Sequence, residues 1–454
     1  MCGQPARRDG DRDVDTDGDR GADRHGDAVA AAPGIGAPRL FATLESATAS
    51  IPTLLSRELI PNTGYYDGSG YVGTFLGLSP MVAWGIRVGL IYAYAFGLAA
   101  WAWVGYDWYR RHYRVADWTP RDDIVDRLRS HKWGLFGLVV VFMFLVMAIF
   151  APAMGPTTVE RNIQNPYGHE VTYYAGSGEV ESVTIGLANR QSRSVGSENV
   201  GPMSYDDFGR FHPFGTLSTG KDLFTFIAAG SRISLIVGLL SVTLSGAIAT
   251  TLALVSALYK GKVDLSVVLL SDSIMALPQL LLLIMLTVIF SGTWLGNLYS
   301  GAALLALIFA GTGWPYMWRS LRGPALQVSE RQWIDAARSF GQSPASIMRK
   351  HMLPYILGYL LIYGSMTLGG AIIAISGLSF LGLGVSAPTP EWGRAIDMGQ
   401  QYVGTASWHI SLIPGLLITL VVTGFNALGD GIRDAIDPES DSATGETAGR
   451  GGGA

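Results

Sequence analysis

Long apolar stretches alternate with shorter polar ones along most of this 454-residue chain. Stretches of about 20 residues, the length that crosses a bilayer as a helix, recur about seven times. They fall near residues 82–106, 133–150, 233–259, 265–290, 299–318, 355–378 and 410–428. Aromatic residues stand at many of their ends, among them Trp108, Trp133, Tyr259, Trp318 and Trp408, as side chains with an apolar body and a polar tip do at a membrane interface. The expected fold is an all-α integral membrane protein, a polytopic helix bundle with the lipid bilayer as its first partner.

Two polar pieces interrupt this pattern. The segment between Ala151 and Arg232 contains HEVTYYAGSGEVESVTI, whose alternation around Gly-Ser-Gly predicts a β-hairpin. The stretch from Leu321 to His351 is polar but carries helix signals. The expected organisation is a disordered polar tail over 1–80, an extra membrane span over 81–108 and a basic loop over 109–132. A first core span over 133–152, an insertion over 153–231, a core of five spans over 232–432 and a disordered tail over 433–454 complete it.

Lys and Arg in short loops set the orientation, because they are retained on the cytoplasmic side. Arg110, Arg111, Arg114, Arg121, Arg127, Arg129 and Lys132 follow the first span, so that loop is expected inside. Lys260 and Lys262 then fall inside, the 292–297 turn outside, 319–350 inside, 382–409 outside and the C-terminus inside. The N-terminus is expected outside and the insertion becomes a small extracytoplasmic cap.

Composition agrees with the membrane reading and removes other classes. Hydrophobic residues make up 49% and charged ones 15%, against about 25% charged in ordinary soluble domains; the mean hydropathy is +0.29. The net charge of −4 mixes an acidic start with basic loops and points to no nucleic acid. The one cysteine, Cys2, excludes an intrachain disulfide, and seven histidines without an H-E-x-x-H pair give no metal site. No catalytic residues and no cofactor are expected. Residues 1–27 have no apolar core of the kind a cleaved leader needs.

GTLSTGKDLF, residues 215–224, has the glycine and lysine spacing of a phosphate-cradling loop. Asp222 stands where a magnesium-binding hydroxyl belongs, and no strand precedes the stretch in a βαβ unit. It is expected to be an elbow leading into a membrane helix rather than a nucleotide site.

SERQWIDAARSFGQSPASIMRKHMLP, residues 329–354, carries two helix starts. Ser329 with Gln332 makes a capping box, and Ser343 precedes Pro344 at a first helical position. Gly341 falls where the first helix must stop. Ala336 and Ala337 would keep one surface low, and Trp333, Ala337 and Phe340 would line an apolar stripe. Such a loop either docks a partner or packs only on its own bundle.

Other residues carry open readings. Asp272 is an acid within an apolar helix, which suggests a function by default; a structural or gating contact and a contact with solute both fit. Pro278 and Ser376 join it as candidate gating or pathway residues. Ser241, Thr243, Ser245, Ser365 and Thr367 could line a polar route, though most suit helix-to-helix contacts better. In GLGVSAPTPEWG, proline and glycine forbid a continuous helix. Pro388, Pro390, Trp392 and Gly393 then form either a connector or part of an external mouth.

D-A-A-x-x-x-G at Asp335, Ala336, Ala337 and Gly341, followed by Ile347, His351 and Pro354, resembles the EAA loop of ABC-importer permeases, with Asp335 where that family usually has Glu. GLSFLGLGVSAPTPEWGRAI (377–396), FNALGDGIRDAIDP (425–438), KVDLSVVLLSDSIMALPQLLL (262–282) and WPYMWRSLRG (314–323) are similar to segments of the oligopeptide/dipeptide/nickel type, C-type subunit. The 215–224 elbow is similar to that family's GTDxxGRD segment, with Leu217 and Lys221 in place of Asp and Arg. The resemblance covers about Trp133 to Pro438. It implies the type I permease bundle and a heterodimer with a second permease subunit. It also implies two cytoplasmic ABC ATPase subunits that dock on the EAA-like coupling loop over 321–354, and an extracytoplasmic solute-binding protein. The solute would be a peptide, nickel or an oligosaccharide. The alternative is an ion-coupled secondary transporter, which should show an internal repeat with broken helices and paired midplane charges; no such repeat is visible.

Overall fold

The computed structural model describes residues 57–114, 120–176 and 179–436. Strands β1 (Tyr65–Tyr66) and β2 (Tyr71–Val72) pair antiparallel ahead of helix α1 (Pro80–His112). A charged helix, α2 (Pro120–Ser130), leads to α3 (Lys132–Met154). The insertion contains the hairpin β3 (Glu170–Tyr174) and β4 (Val180–Thr184), helix α4 (Ile185–Gln191) and the pair β5 (Ser204–Tyr205) and β6 (Phe211–His212). The remainder is helical: α5 (Leu223–Tyr259), α6 (Gly261–Met275), α7 (Gln279–Ser291), α8 (Trp294–Asn297) and α9 (Ala302–Ser329). Then come α10 (Gln332–Ser339), α11 (Pro344–Ile347), α12 (Leu353–Phe380), α13 (Trp392–Gly399) and α14 (His409–Ile436).

The fold class expected from the hydrophobic pattern is the one found. Among the described residues six helices are long and apolar enough to cross a membrane, and α6 with α7 makes a seventh candidate bent by 84°. Pro278 stands at that bend as the residue before α7, where its missing N–H interrupts the helical ladder. The hairpin pairs Glu170 with Thr184 and Tyr174 with Val180; Ser177 and Gly178 of its turn lie outside the described residues, as do residues 1–56 and 437–454 of the two expected tails.

Residues 57–80 correct the expectation of a disordered tail reaching to 80. Ile60 is buried, and β1 and β2 fold beside the insertion. The reason is a pair of arginines among apolar neighbours. Arg87, fully buried on α1, donates to Ile60 O, Asn62 Oδ1 and Gly155 O, while Arg57 donates to the carbonyls of Gly155, Pro156 and Thr157. A buried guanidinium must be satisfied in this way, and these bonds tie the segment and α1 to the end of α3.

One hydrophobic cluster gathers the insertion end of the bundle: Leu217, Leu223, Ile227, Trp392, Ala395 and Ile410 meet around Phe144 and Phe425. A second lies where α5 ends, with Ala253, Ala257, Trp318, Leu321, Ile334, Ala337, Ile347 and Ile356. The 332–352 segment therefore packs on the opposite end of α5 from the insertion.

The glycine-lysine stretch is the elbow expected. Leu217 is fully buried, its N–H bonds to Lys221 O, and Gly220 has φ +77° with its Cα against the Asn189 carbonyl. Asp222 caps α5 through Thr225 N at 2.6 Å, and Lys221 Nζ donates to Ile163 O. The carboxylate belongs there because it accepts the first orphan N–H groups of the helix.

Asp222 also holds His212, whose Nδ1 is 2.9 Å away and whose Nε2 is 3.4 Å from Asp206. Burial opposes the charge on His212, but hydrogen bonds to Asp206 and Asp222 outweigh it and raise its pKa. Asp206 is also penalised by burial, yet His212 and Arg210 hold its carboxyl well below the usual range. The His212 contribution is complete below its ordinary value of about 6.5 and is lost as pH rises through the raised one; the Asp206 contribution is complete above about 3.9 and is lost on acidification. The insertion should thus be most stable between those limits. Thermal unfolding of the purified protein should show a midpoint that falls as pH rises above about 6.5, the ordinary histidine value, and His212→Gln should flatten that slope. A midpoint equally pH-dependent in the variant would refute the assignment.

Candidate functional site

Helix α10 is short and amphipathic, and its two faces have different surroundings. Ile334 and Ala337 point into the bundle beside Ile347 and Met352, all nearly inaccessible. Trp333 is half exposed and Phe340 is 86% exposed, with Ala336 on the same open face. The stripe expected as Trp333, Ala337 and Phe340 is therefore corrected to Trp333, Ala336 and Phe340. Ala337 lies a quarter turn away and serves the core, because the helix must bury one face to stay on the bundle.

Gly341 ends the helix with φ +72°, a left-handed conformation that glycine adopts without strain. No heavy atom lies within 4 Å of where its Cβ would be, so backbone conformation alone selects glycine here. Ser343 caps the next turn through Ser346 N, with Pro344 following, as expected. The Ser329 capping box is not formed. Ser329 is the last residue of α9 and its Oγ donates to Leu326 O, while Arg331 precedes α10 without a side-chain cap.

Between α11 and α12 the chain makes one wide turn, Met348–Met352, with the Leu353 N–H bonded to Met348 O. Pro354, at the second position of α12, offers no N–H to the carbonyl one turn back, which permits the ladder to shift. His351 Nε2 donates to Gln342 Oε1 at 3.0 Å, bridging this turn to the Gly341 bend. Asp335 is exposed beside Arg338 at 3.5 Å. From Pro344 to Phe380 the helix is continuous enough to count as one candidate span.

Asp272, the acid noted in the sequence, pairs with Arg319, and Asp264 takes Arg322 in a two-pronged contact. These pairs tie α6 to the end of α9. The first is about half exposed and the second much less so. Asp264→Asn should therefore lower the thermal midpoint more than Asp272→Asn, whose exposed pair contributes at most about 1 kcal/mol. The reverse order in thermal unfolding would contradict this geometry.

Ser241, Ser245 and Thr367 do line one cavity of about 200 Å³ among α5, α7, α9 and α12, together with Gln279, Phe309 and Tyr316. Ser241 Oγ and Thr367 Oγ1 donate to carbonyls of their own helices, so they offer mainly lone pairs to the cavity. Thr243 is exposed instead.

Of the four mouth candidates only Pro388 is exposed; Pro390, Trp392 and Gly393 are buried. Trp392 Nε1 donates to Ile227 O at 2.7 Å, and its ring meets Phe144 edge-on. Ser376 Oγ donates to Glu391 Oε1, and Glu391 also accepts from Arg394 N to cap α13. Burial pushes the Glu391 carboxyl up. The sequence reading missed Glu391, and an acid three residues before an arginine in a Pro-rich loop was its only local signal. It also missed Asp264, which lies eight residues from Asp272 on a helix whose partner arginines are distant in sequence.

Residues 249–441 match the family described as binding-protein-dependent transport system inner membrane component, and residues 119–170 match the N-terminal TM domain of oligopeptide transport permease C. The chain is 32% identical over 324 residues to the dipeptide transport system permease protein DppC of Alkalihalophilus pseudofirmus, covering 71% of this chain and 91% of that one. To DppC of Bacillus subtilis it is 31% identical over 69% of this chain and 84% of the relative. To the glutathione transport system permease protein GsiD of Escherichia coli it is 35% identical over 71% and 91%. With the bundle, the two-helix loop and these matches together, the chain belongs to the C-type permease subunits of the oligopeptide/dipeptide family of ABC importers.

Proposed function

We propose that this permease subunit carries peptides or small peptide-like solutes across a cell membrane. The relatives named for dipeptide and glutathione transport support that choice of solute over nickel or oligosaccharide. Its partners are a second, different permease subunit, two cytoplasmic ABC ATPases and an extracytoplasmic solute-binding protein. ATP is hydrolysed by the partners, and this chain supplies the route. The bent pair α6 and α7 counts as one span in this reading, which gives seven crossings, an external N-terminus and insertion, and a cytoplasmic C-terminus. The domain boundaries follow those expected from sequence with two shifts: the N-terminal segment is folded by residue 57, and the last core helix runs on to Ile436 rather than ending at 432.

The observation that carries the coupling role is the open face of Trp333, Ala336 and Phe340 on a helix whose other face is locked into the bundle. An ATPase docked on Asp335 to Gly341 pushes α10 and α11 as a unit, and His351 and Pro354 pass the movement to α12. Rocking of packed helices then alternates access to the cavity lined by Ser241, Ser245 and Thr367. Asp272 acts as a contact holding α6 to α9 during this movement, with Pro278 as its hinge. Ser376, Pro390, Trp392 and Gly393 fix the mouth, and Pro388 meets the binding protein.

Proteoliposomes carrying both permeases and both ATPases should accumulate a radiolabelled dipeptide only with ATP inside and binding protein outside. Uptake driven by a sodium or proton gradient without ATP would reject this reading in favour of a secondary carrier.

A further inference from the structure

Beyond the transport path, the insertion encloses a cavity of about 280 Å³ lined in part by Arg161, Asn162, Glu170, Arg210 and Asp222. A chain of hydrogen bonds fixes which way the Asn162 amide in its wall points. Arg210, which can only donate, gives Nη1 to Asn189 Oδ1 at 2.7 Å and Nε to Asp206 Oδ2 at 2.7 Å. Asn189 must then donate through Nδ2, and it does so to Asn162 Oδ1 at 3.2 Å. Asn162 is 1% exposed and its Nδ2 is left without a partner among the described residues. A buried amide N–H₂ in this state is destabilising until an acceptor reaches it.

The adjacent residue is a cation without a carboxylate. Arg161 is exposed at the cavity wall, and no ion pair or side-chain hydrogen bond engages its guanidinium among the described residues. Arg57 nearby is already committed to the carbonyls of Gly155, Pro156 and Thr157, and its charge and that of Arg161 oppose each other. Asp222 and Asp206 are taken by His212, Arg210 and the α5 cap, and Glu170, the other carboxylate of the lining, accepts from Ser182 Oγ on the neighbouring strand, so among the described residues no acceptor engages the Arg161 guanidinium or the Asn162 Nδ2. We propose that this cavity is a binding site for the carboxylate of a small solute, held by the Arg161 guanidinium and the Asn162 Nδ2, separate from the route through the helix bundle. Both donors suit an anionic acceptor, and a charge-assisted pair of this kind is the strong class of hydrogen bond.

The full chain in lipid nanodiscs should bind radiolabelled N-acetylglycine saturably in equilibrium dialysis, and unlabelled N-acetylglycinamide should not compete. Arg161→Gln should weaken binding at least about tenfold; this side chain is exposed, so folding is not at stake. Asn162→Leu should weaken it as well, with thermal unfolding used to select folded protein. Absence of saturable binding, equal competition by the neutral amide, or unchanged affinity in Arg161→Gln would overturn the proposal. None of these outcomes bears on whether α10 couples to an ATPase.

Discussion

Changing Phe340 to Asp is expected to release the ATPase subunits from the purified complex while leaving the permease folded. The ring is 86% exposed, so the chain's own stability gains almost nothing from it, and the unfolding midpoint should move little. At an interface the same ring is an anchor of the type that dominates binding, where truncation costs about 2–4 kcal/mol. A charge placed in that contact adds desolvation to the loss. ATPase retention should drop at least tenfold, on the order of the 1.4 kcal/mol that a factor of ten represents. The companion change Ile334→Asp makes the contrast explicit. Ile334 is fully buried beside Ala337 and Ile347, and a carboxylate there should lower the yield of folded permease itself. If Phe340→Asp retains its ATPases at wild-type level, the open face is not the docking surface.

The second large effect belongs at the other end of the bundle. Trp392→Ala should destabilise the protein by about 3–5 kcal/mol, the range for removing a large aromatic from a packed core. The side chain is fully buried, donates to Ile227 O and packs on Phe144. Gly230 faces it so closely that an added Cβ would lie 2.7 Å from its Cδ1. Gly393→Ala should be comparably harmful for a different reason: its Cβ would come within van der Waals overlap of the Ser376 carbonyl, which forces α13 off α12. Denaturation in detergent, followed by tryptophan-independent detection such as size-exclusion retention, separates these cases. A Trp392→Ala protein as stable as wild type would show that α13 is a loose connector.

How much of this was legible in the sequence depended on the range of the interaction. Span positions, the hairpin, the Gly341 bend and the Ser343 cap all follow from signals a few residues long, because apolar runs, turn residues and caps act locally. The Ser329 box failed although its spacing was correct. Helix α9 runs about three turns further than its apolar stretch, to Ser329, stabilised by Leu321, Ala325 and Val328 in the core, and tertiary burial outweighed a cap. The same competition reassigned Ala337 from the open stripe to the buried face. Pairings across the fold were not legible at all. Asp272 could be recognised as unusual, but Arg319 lies 47 residues away, and no local pattern connects them. Arg57 and Arg87 were invisible for the same reason, since the carbonyls they satisfy belong to the end of α3. Before α13, composition correctly excluded a continuous helix through GLGVSAPTPEWG, yet could not say that Trp392 and Gly393 would be buried rather than presented to a partner.

The most direct test uses one engineered cysteine, Phe340→Cys, in a chain whose own Cys2 is changed to Ser. In the assembled transporter, a short bifunctional thiol reagent should join position 340 to an ATPase subunit carrying a cysteine in its permease-facing groove, and the yield should change when ATP is added. A position 340 that reacts only from the external face of sealed vesicles, or that never joins an ATPase during ATP-driven uptake, would contradict the account.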